Sequence, residues 1–147
     1  IIRSIENNKE IKIRNPSSIR HWQYVLDPLN GYLMLAEKLW ENRSGFSSGW
    51  NFGPTLEEGK TVSWILDKFN ELWDNKLVIK SDSQDYKHES AYLMLNSNKA
   101  RKELGWESKI RTDESIHLIV KWHKAHLQNK NMKEKSLEQI ENFVNMN

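Results

Sequence analysis

Asp27-Pro28 marks the start of a helix, and that start organises the stretch from Ile13 to Trp40. A side-chain oxygen of Asp27 can accept from backbone N–H groups that have no helical partner. Pro28 suits the first helical position, where no N–H is needed. Leu29, Tyr32, Leu33, Ala36, Leu39 and Trp40 then recur at helical spacing and form one wide apolar face. Gly31 sits inside this helix at a cost of about 1 kcal/mol relative to alanine, which points to a close approach by another backbone. Just before the helix, Arg20 stands among Ile19, Trp22, Tyr24 and Val25. A fixed cation in an aromatic setting beside a helix start suits an anionic ligand. The plainer reading is an arginine stacked on Trp22 and facing water.

On either side the chain alternates short strands and amphipathic helices. Ile1, Ile2 and Ile5 look like the last turns of a helix, entered in mid-pattern and without methionine. This is read as a sign of missing upstream chain, with those isoleucines as candidates for an exposed apolar face. Lys9 to Arg14 alternates apolar and charged residues, the period of a half-buried strand. Trp50-Asn51-Phe52-Gly53-Pro54 reads as a short strand running into a turn, with Asn51 opposite the two aromatics. Thr61 caps a helix whose stripe is Val62, Ile65, Leu66, Phe69, Leu72 and Trp73. Leu77-Val78-Ile79 is another short strand, and Ser81 to Glu89 is a polar loop. Asn96 caps a short helix from Ser97 to Leu104, stopped by Gly105. Thr112-Asp113-Glu114 opens a further helix, with Ile116, Ile119, Val120 and Leu127 inside. After a polar connector, Ser136 to Gln139 fits a capping box for a last helix carrying Leu137, Ile140 and Val144.

Composition excludes several classes. A length of 147 residues suits one domain. There are 22 basic and 20 acidic residues, so neither a nucleic acid nor a membrane surface is the expected partner. With no cysteine, disulfides and thiolate chemistry drop out. No apolar run approaches the ~20 residues of a membrane span, and the N-terminus is not a signal peptide, so a cytoplasmic protein is expected. Only His123 and His126 share a helix face among the later histidines, and no metal site is expected.

Several segments resemble a known family. Arg14-Asn15-Pro16, Ile19-Arg20-His21-Trp22-Gln23-Tyr24-Val25-Leu26-Asp27-Pro28-Leu29 and Gly31-Tyr32-Leu33 are similar to the C-terminal half of the CDP-glucose 4,6-dehydratases. These are a branch of the extended short-chain dehydrogenase/reductase family of sugar-nucleotide enzymes. Ser97 to Trp106 is similar to the wider family's Ser-Lys-Ala-x-x-x-Leu-Gly-Trp signature, here with Asn98 inserted before Lys99. His88-Glu89, with Ser90 as third residue, resembles the His-Glu-Ala element of the CDP-glucose branch.

The resemblance implies an α/β fold: the C-terminal substrate-binding lobe of an extended short-chain dehydrogenase/reductase, over residues 1–147, with several helices, a few short strands and no Rossmann half. It implies that Arg20 and Asn51 contact the substrate diphosphate. It implies that Ile11 and Ile13 run along the nucleotide base, and that the His88 loop closes over the nucleotide. Without it, Asn51 could simply close a turn and His88 could be a surface residue. The family reaction oxidises C4 of CDP-glucose with NAD, removes water across C5 and C6 and returns hydride to C6. Its Gly-rich turn and Tyr-x-x-x-Lys pair are absent from this sequence: Tyr24, Tyr32, Tyr86 and Tyr92 are followed four residues later by Pro28, Ala36, Ser90 and Asn96. Catalytic and cofactor residues are therefore expected upstream, in an N-terminal Rossmann half of the same protein, and the full-length protein is expected to be a homodimer. The competing readings are another sugar-nucleotide epimerase or dehydratase, and a stand-alone binding domain.

Overall fold

The computed structural model describes residues 1–7, 9–41, 44–74, 77–81 and 90–146. Among the described residues, five α-helices dominate the secondary structure: α1 (Ile2–Glu6), α2 (Leu26–Trp40), α3 (Val62–Leu72), α4 (Thr112–Leu127) and α5 (Met132–Val144). Five short strands complete it: β1 (Ile11–Ile13), β2 (Ile19–His21), β3 (Gly59–Thr61), β4 (Ile79–Ser81) and β5 (Tyr92–Leu93). They form two small sheets. In one, β1 pairs parallel with β4, Ile11 opposite Ile79. In the other, β2 is central, antiparallel to β3 and parallel to β5.

Local signals work where expected around α3. The Thr61 hydroxyl accepts the Trp64 N–H at 3.1 Å, and β3 runs directly into the helix. Ile65, Phe69 and Trp73 then meet Ile116 and Val120 of α4 in one core cluster. Ile2 and Ile5 also pack against this cluster, so they do not form the open apolar face expected of them. A second cluster joins Phe52, Ala100, Leu104 and Trp106. Gly105 follows at φ 69°, the left-handed stop the sequence predicts. Tyr24, Ile110 and Phe143 form the third cluster.

α2 departs from expectation in three ways. It begins at Leu26, and neither Asp27 nor any other side chain caps it. Asp27 is instead completely buried in the first turn. Its carboxylate accepts the Lys109 N–H at 2.7 Å and the Ser108 hydroxyl at 2.9 Å, and its carbonyl accepts the Trp106 indole N–H at 3.0 Å. A carboxylate that satisfies distant donors is unavailable to its own helix. Burial pushes its pKa up, while those hydrogen bonds pull it down.

Gly31 is buried, but the close approach is a ring rather than a backbone. A Cβ there would lie 2.6 Å from Cε1 of Phe52. Most consequential is the direction of the apolar stripe. Asp27 and Gly31 face inward, whereas Leu29, Tyr32, Leu33, Ala36, Leu39 and Trp40 are exposed, Trp40 at 89%.

Other boundaries shift for similar reasons. Residues 50–54 adopt no strand, because no strand among the described residues pairs with them. The strand expected at Leu77 starts at Ile79, where β1 provides its partner. Arg111, not Thr112, is the N-cap of α4; Thr112 is buried and its N–H goes to Glu58 at 2.8 Å. Leu127 is half exposed rather than inside. α5 starts at Met132, capped by Asn131, whose side chain accepts from Lys133 and Glu134 N–H groups. Ser136 is therefore inside the helix, where its hydroxyl donates to the Met132 carbonyl and accepts the Trp122 indole N–H. Phe143 anchors α5, while Leu137, Ile140 and Val144 are largely exposed.

Candidate functional site

The site grows from β2. Arg20 lies in register with Lys60 on β3 and Leu93 on β5, half-buried, and one guanidinium N–H donates to the Ile19 carbonyl at 2.8 Å. The chain leaving β5 then passes Asn51. This exposed side chain donates to the Asn96 carbonyl at 3.4 Å. Arg20 and Asn51, far apart in sequence, thus both border the segment from Leu93 to Asn96.

Two further polar side chains meet the same segment. His21 accepts the Leu95 N–H on Nδ1 at 3.2 Å, and its Nε2 is buried without a partner among the described residues. Arg101 donates to the Gly53 carbonyl at 3.2 Å and to the Asn98 side chain at 3.4 Å. Burial, and then the charge of Arg101, hold His21 below the ordinary imidazole value. Sequence reasoning assigned no role to either residue. His21 was visible beside Arg20, but Arg101 lies in a run that reads as packing; only the fold turns it toward Gly53.

Other expected residues fall elsewhere. Ile11 is buried and Ile13 half-buried, both on the β1–β4 sheet rather than on the sheet of Arg20. The Ile11 N–H is taken by the Val78 carbonyl at 2.8 Å. His88 lies outside the described residues. Among the described residues, no group of three His, Cys, Asp or Glu side chains could hold a metal ion. His123 faces Glu6 at 3.7 Å, and His126 stacks on Trp122.

The Arg20 and Arg101 guanidinium groups and the Asn51 side-chain amide, each beside part of this stretch, are charge-assisted and neutral donors. Such an edge can hold an oxygen-rich anion. Among the described residues it contains no paired nucleophile and base.

The half-buried imidazoles of His21 and His123 predict a pH response. Burial lowers the pKa of His123 as well, with Glu6 opposing. A lowered pKa means that the unfolded chain binds the proton more readily, so this stability is complete above the ordinary value of 6.5 and is lost as pH falls below it. Asp27 acts oppositely: its raised pKa gives stability that is lost as pH rises from its ordinary 3.8 through the folded-state value. Melting between pH 7.5 and 5 should therefore show a falling Tm, and a His21→Gln/His123→Gln double variant should flatten that slope. An unchanged slope would exclude these two groups as its source.

No protein-family model matches the chain. Over 144 residues, 98% of its length, the chain is 43% identical to the CDP-glucose 4,6-dehydratase of Salmonella typhimurium. This chain is a relative of CDP-glucose 4,6-dehydratase. It spans 40% of that enzyme's length and matches a C-terminal part of it. Among solved structures, the fold is similar to UDP-glucose 4-epimerase of Thermotoga maritima, determined with UDP-glucose: TM-score 0.63, 22% identity, 86% of this chain and 38% of that one. It is also similar to the enzyme WbmF of Bordetella bronchiseptica, determined with NADH: TM-score 0.58, 17% identity, 99% of this chain and 41% of that one. The mostly helical architecture with short strands thus matches a part of the folds of these two enzymes. No helix among the described residues is long and apolar enough to cross a membrane.

Proposed function

We propose that this chain, residues 1–147, is the nucleotide-sugar-binding lobe of an NAD-dependent CDP-glucose 4,6-dehydratase. The observation that carries this reading is 43% identity sustained over 98% of the chain. In this reading Arg20 and Asn51 hold the diphosphate of CDP-glucose, and His88 closes over the nucleotide. The polar edge along Leu93 to Asn96 supports it, because it gathers donors suited to phosphate oxygens.

The described residues do not fit NAD. Their strands are two or three residues long, and β3 passes into α3 through Thr61 with no glycine-rich turn to cradle a pyrophosphate. NAD would belong to a Rossmann half outside this chain, as would the acid and base of the reaction. The full-length enzyme would be a cytoplasmic homodimer.

The test is a chimaera in which this chain follows the amino-terminal three-fifths of the Salmonella enzyme. It should convert CDP-glucose to a 4-keto-6-deoxy sugar, with UDP-glucose a poorer substrate; the 147-residue chain alone should neither turn over CDP-glucose nor bind NAD. Turnover by the chain alone, or a chimaera that binds NAD yet leaves CDP-glucose unchanged, would overturn the reading. A clear preference for UDP-glucose would transfer it to another sugar-nucleotide enzyme of this fold.

A further inference from the structure

We propose that the groove between α4 and α5 is a binding site for a small polyphosphate, its phosphates held by Lys121, Lys124, Lys130 and Lys135. The inference does not depend on the dehydratase reading, and the groove shares no residue with the edge around Arg20.

The first observation is where the charge lies. Five lysines and two glutamates fall between residues 121 and 138, which leaves 17 basic and 18 acidic residues for the rest of the chain. The formal excess of positive charge therefore sits in this one stretch. Helix electrostatics do not account for it. Lys124 is in the last turn of α4, where the dipole favours a cation, but Lys135 is in the first turn of α5, where it does not. Nor do local acids neutralise it. Glu138 is shared, reached by Lys135 at 2.5 Å and by Lys121 at 3.5 Å. Lys124 meets Asp74 at 3.3 Å in an exposed pair that water screens. Lys130 has no acidic partner among the described residues.

The second observation is the shape that collects these lysines. α4 packs against α3 on one side and α5 on the other. The groove beside it has a volume of about 360 Å³, within the ~300–1,000 Å³ of small-molecule sites. Buried Val120 and Ala125, with Leu72 of α3, give it an apolar floor. The cations come from three places: Lys121 and Lys124 from α4, Lys135 from α5 and Lys130 from the turn between them. That turn is fixed at both ends. Asn129 takes φ 53°, and the Lys130 N–H returns to the Ala125 carbonyl at 3.1 Å. The Asn131 side chain then caps α5. A backbone held in this way lowers the ordering cost of binding.

The donor set selects the ligand. All four cations are lysines, and no arginine lines the groove. An ammonium is a compact charge with three donors, without the planar fork that pairs with a carboxylate. Several such groups around a recess suit a phosphate chain, whose charge is spread over many oxygens in three dimensions. Four cations that share one groove carboxylate call for more negative charge than a single carboxylate brings. The apolar floor leaves room for an organic part, as in a nucleotide, whereas an inorganic polyphosphate would use the lysines alone. An acidic peptide fits less well, because every lining residue is on a helix or the turn and no strand edge is present to hold a peptide backbone.

The test is lysine acylation of the 147-residue chain, read by peptide mass spectrometry, with CTP or inorganic tripolyphosphate as the probe. At a probe concentration about ten times its Kd, acylation of Lys121, Lys124, Lys130 and Lys135 should slow about tenfold, while exposed Lys12 and Lys102 react as before. Calorimetry should give one probe per chain. Lys130→Gln/Lys135→Gln should weaken binding at least about tenfold at an unchanged Tm, since one hydrogen bond to a charged group accounts for that much. Lys130→Arg/Lys135→Arg should keep most of the affinity, and Arg20→Ala should leave the acylation pattern unchanged. A tighter CTP assigns a nucleotide with its base on the floor, and a tighter tripolyphosphate assigns an inorganic chain. Equal slowing at Lys12 and Lys102 would overturn the proposal, as would protection lost in Arg20→Ala or an unaltered Kd in Lys130→Gln/Lys135→Gln. So would protection by a polyglutamate peptide where neither phosphate probe protects, which would assign the groove to an acidic protein. Should Lys130→Gln/Lys135→Gln lower the Tm, the acylation pattern of the parent chain and of Arg20→Ala decides alone.

Discussion

Trp106→Ala is expected to lower the stability of this chain by about 3–5 kcal/mol, the range for truncating a fully buried aromatic. Trp106 is 1% exposed, packs edge-on to Phe52 at 5.2 Å between ring centroids and shares its cluster with Leu104 and Ala100. Its indole N–H also satisfies the carbonyl of the buried Asp27. Alanine would remove the ring, leave a cavity against Phe52 and Leu104, and delete the indole hydrogen bond to that carbonyl. Trp106→Phe separates these effects: the ring is largely kept, and a loss of about 1–2 kcal/mol is expected from the lost indole hydrogen bond and the smaller volume. Trp40→Ala is the contrast. That side chain is almost fully in solvent, so its loss in the isolated chain should stay within about 0.5 kcal/mol. Urea unfolding at a common slope reads all three. A Trp106→Ala variant within about 1 kcal/mol of the parent would show that the cluster is not the core described.

In the chimaera, Arg20→Ala is expected to weaken CDP-glucose binding by about 2–4 kcal/mol, the range for truncating one partner of a close charged pair. That is roughly 30- to 1,000-fold in affinity. A guanidinium offers a diphosphate paired, charge-assisted hydrogen bonds. Lysine keeps the charge without the planar fork, so Arg20→Lys should recover only part of the loss. NAD affinity should not change. Arg14→Ala is the control: this residue follows β1, on the other sheet, and its loss should matter less. The plainer reading makes Arg20 a prop of the three-stranded sheet. It then predicts a lowered Tm with an unchanged KM for CDP-glucose, and that pair of results would sink the diphosphate assignment.

Much of the fold was legible because its signals act over a few residues. Thr61 caps α3 through an N–H three positions on, and Gly105 ends a helical turn because the left-handed backbone there carries no Cβ penalty. The stripes of α3 and of the early part of α4 are buried as their periodicity predicts. Arg20 and Asn51 were nominated by resemblance, and their shared border became visible only when β5 was paired with β2.

The misplaced features have one cause in common: their partners lie far away in sequence. Asp27 is typical of a cap by type and position, but Lys109 and Ser108 claim its carboxylate. Trp50 to Pro54 has the alternation of a strand, but a strand exists only when another backbone pairs with it. For α2, spacing alone establishes that an apolar stripe exists, and composition establishes which residues lie on it. Periodicity carries no sign, however, and cannot say whether a stripe faces inward or outward. Tertiary structure decided that: Phe52 needs the close approach that Gly31 permits, so the glycine side turns to the core and the stripe from Leu29 to Trp40 turns to solvent.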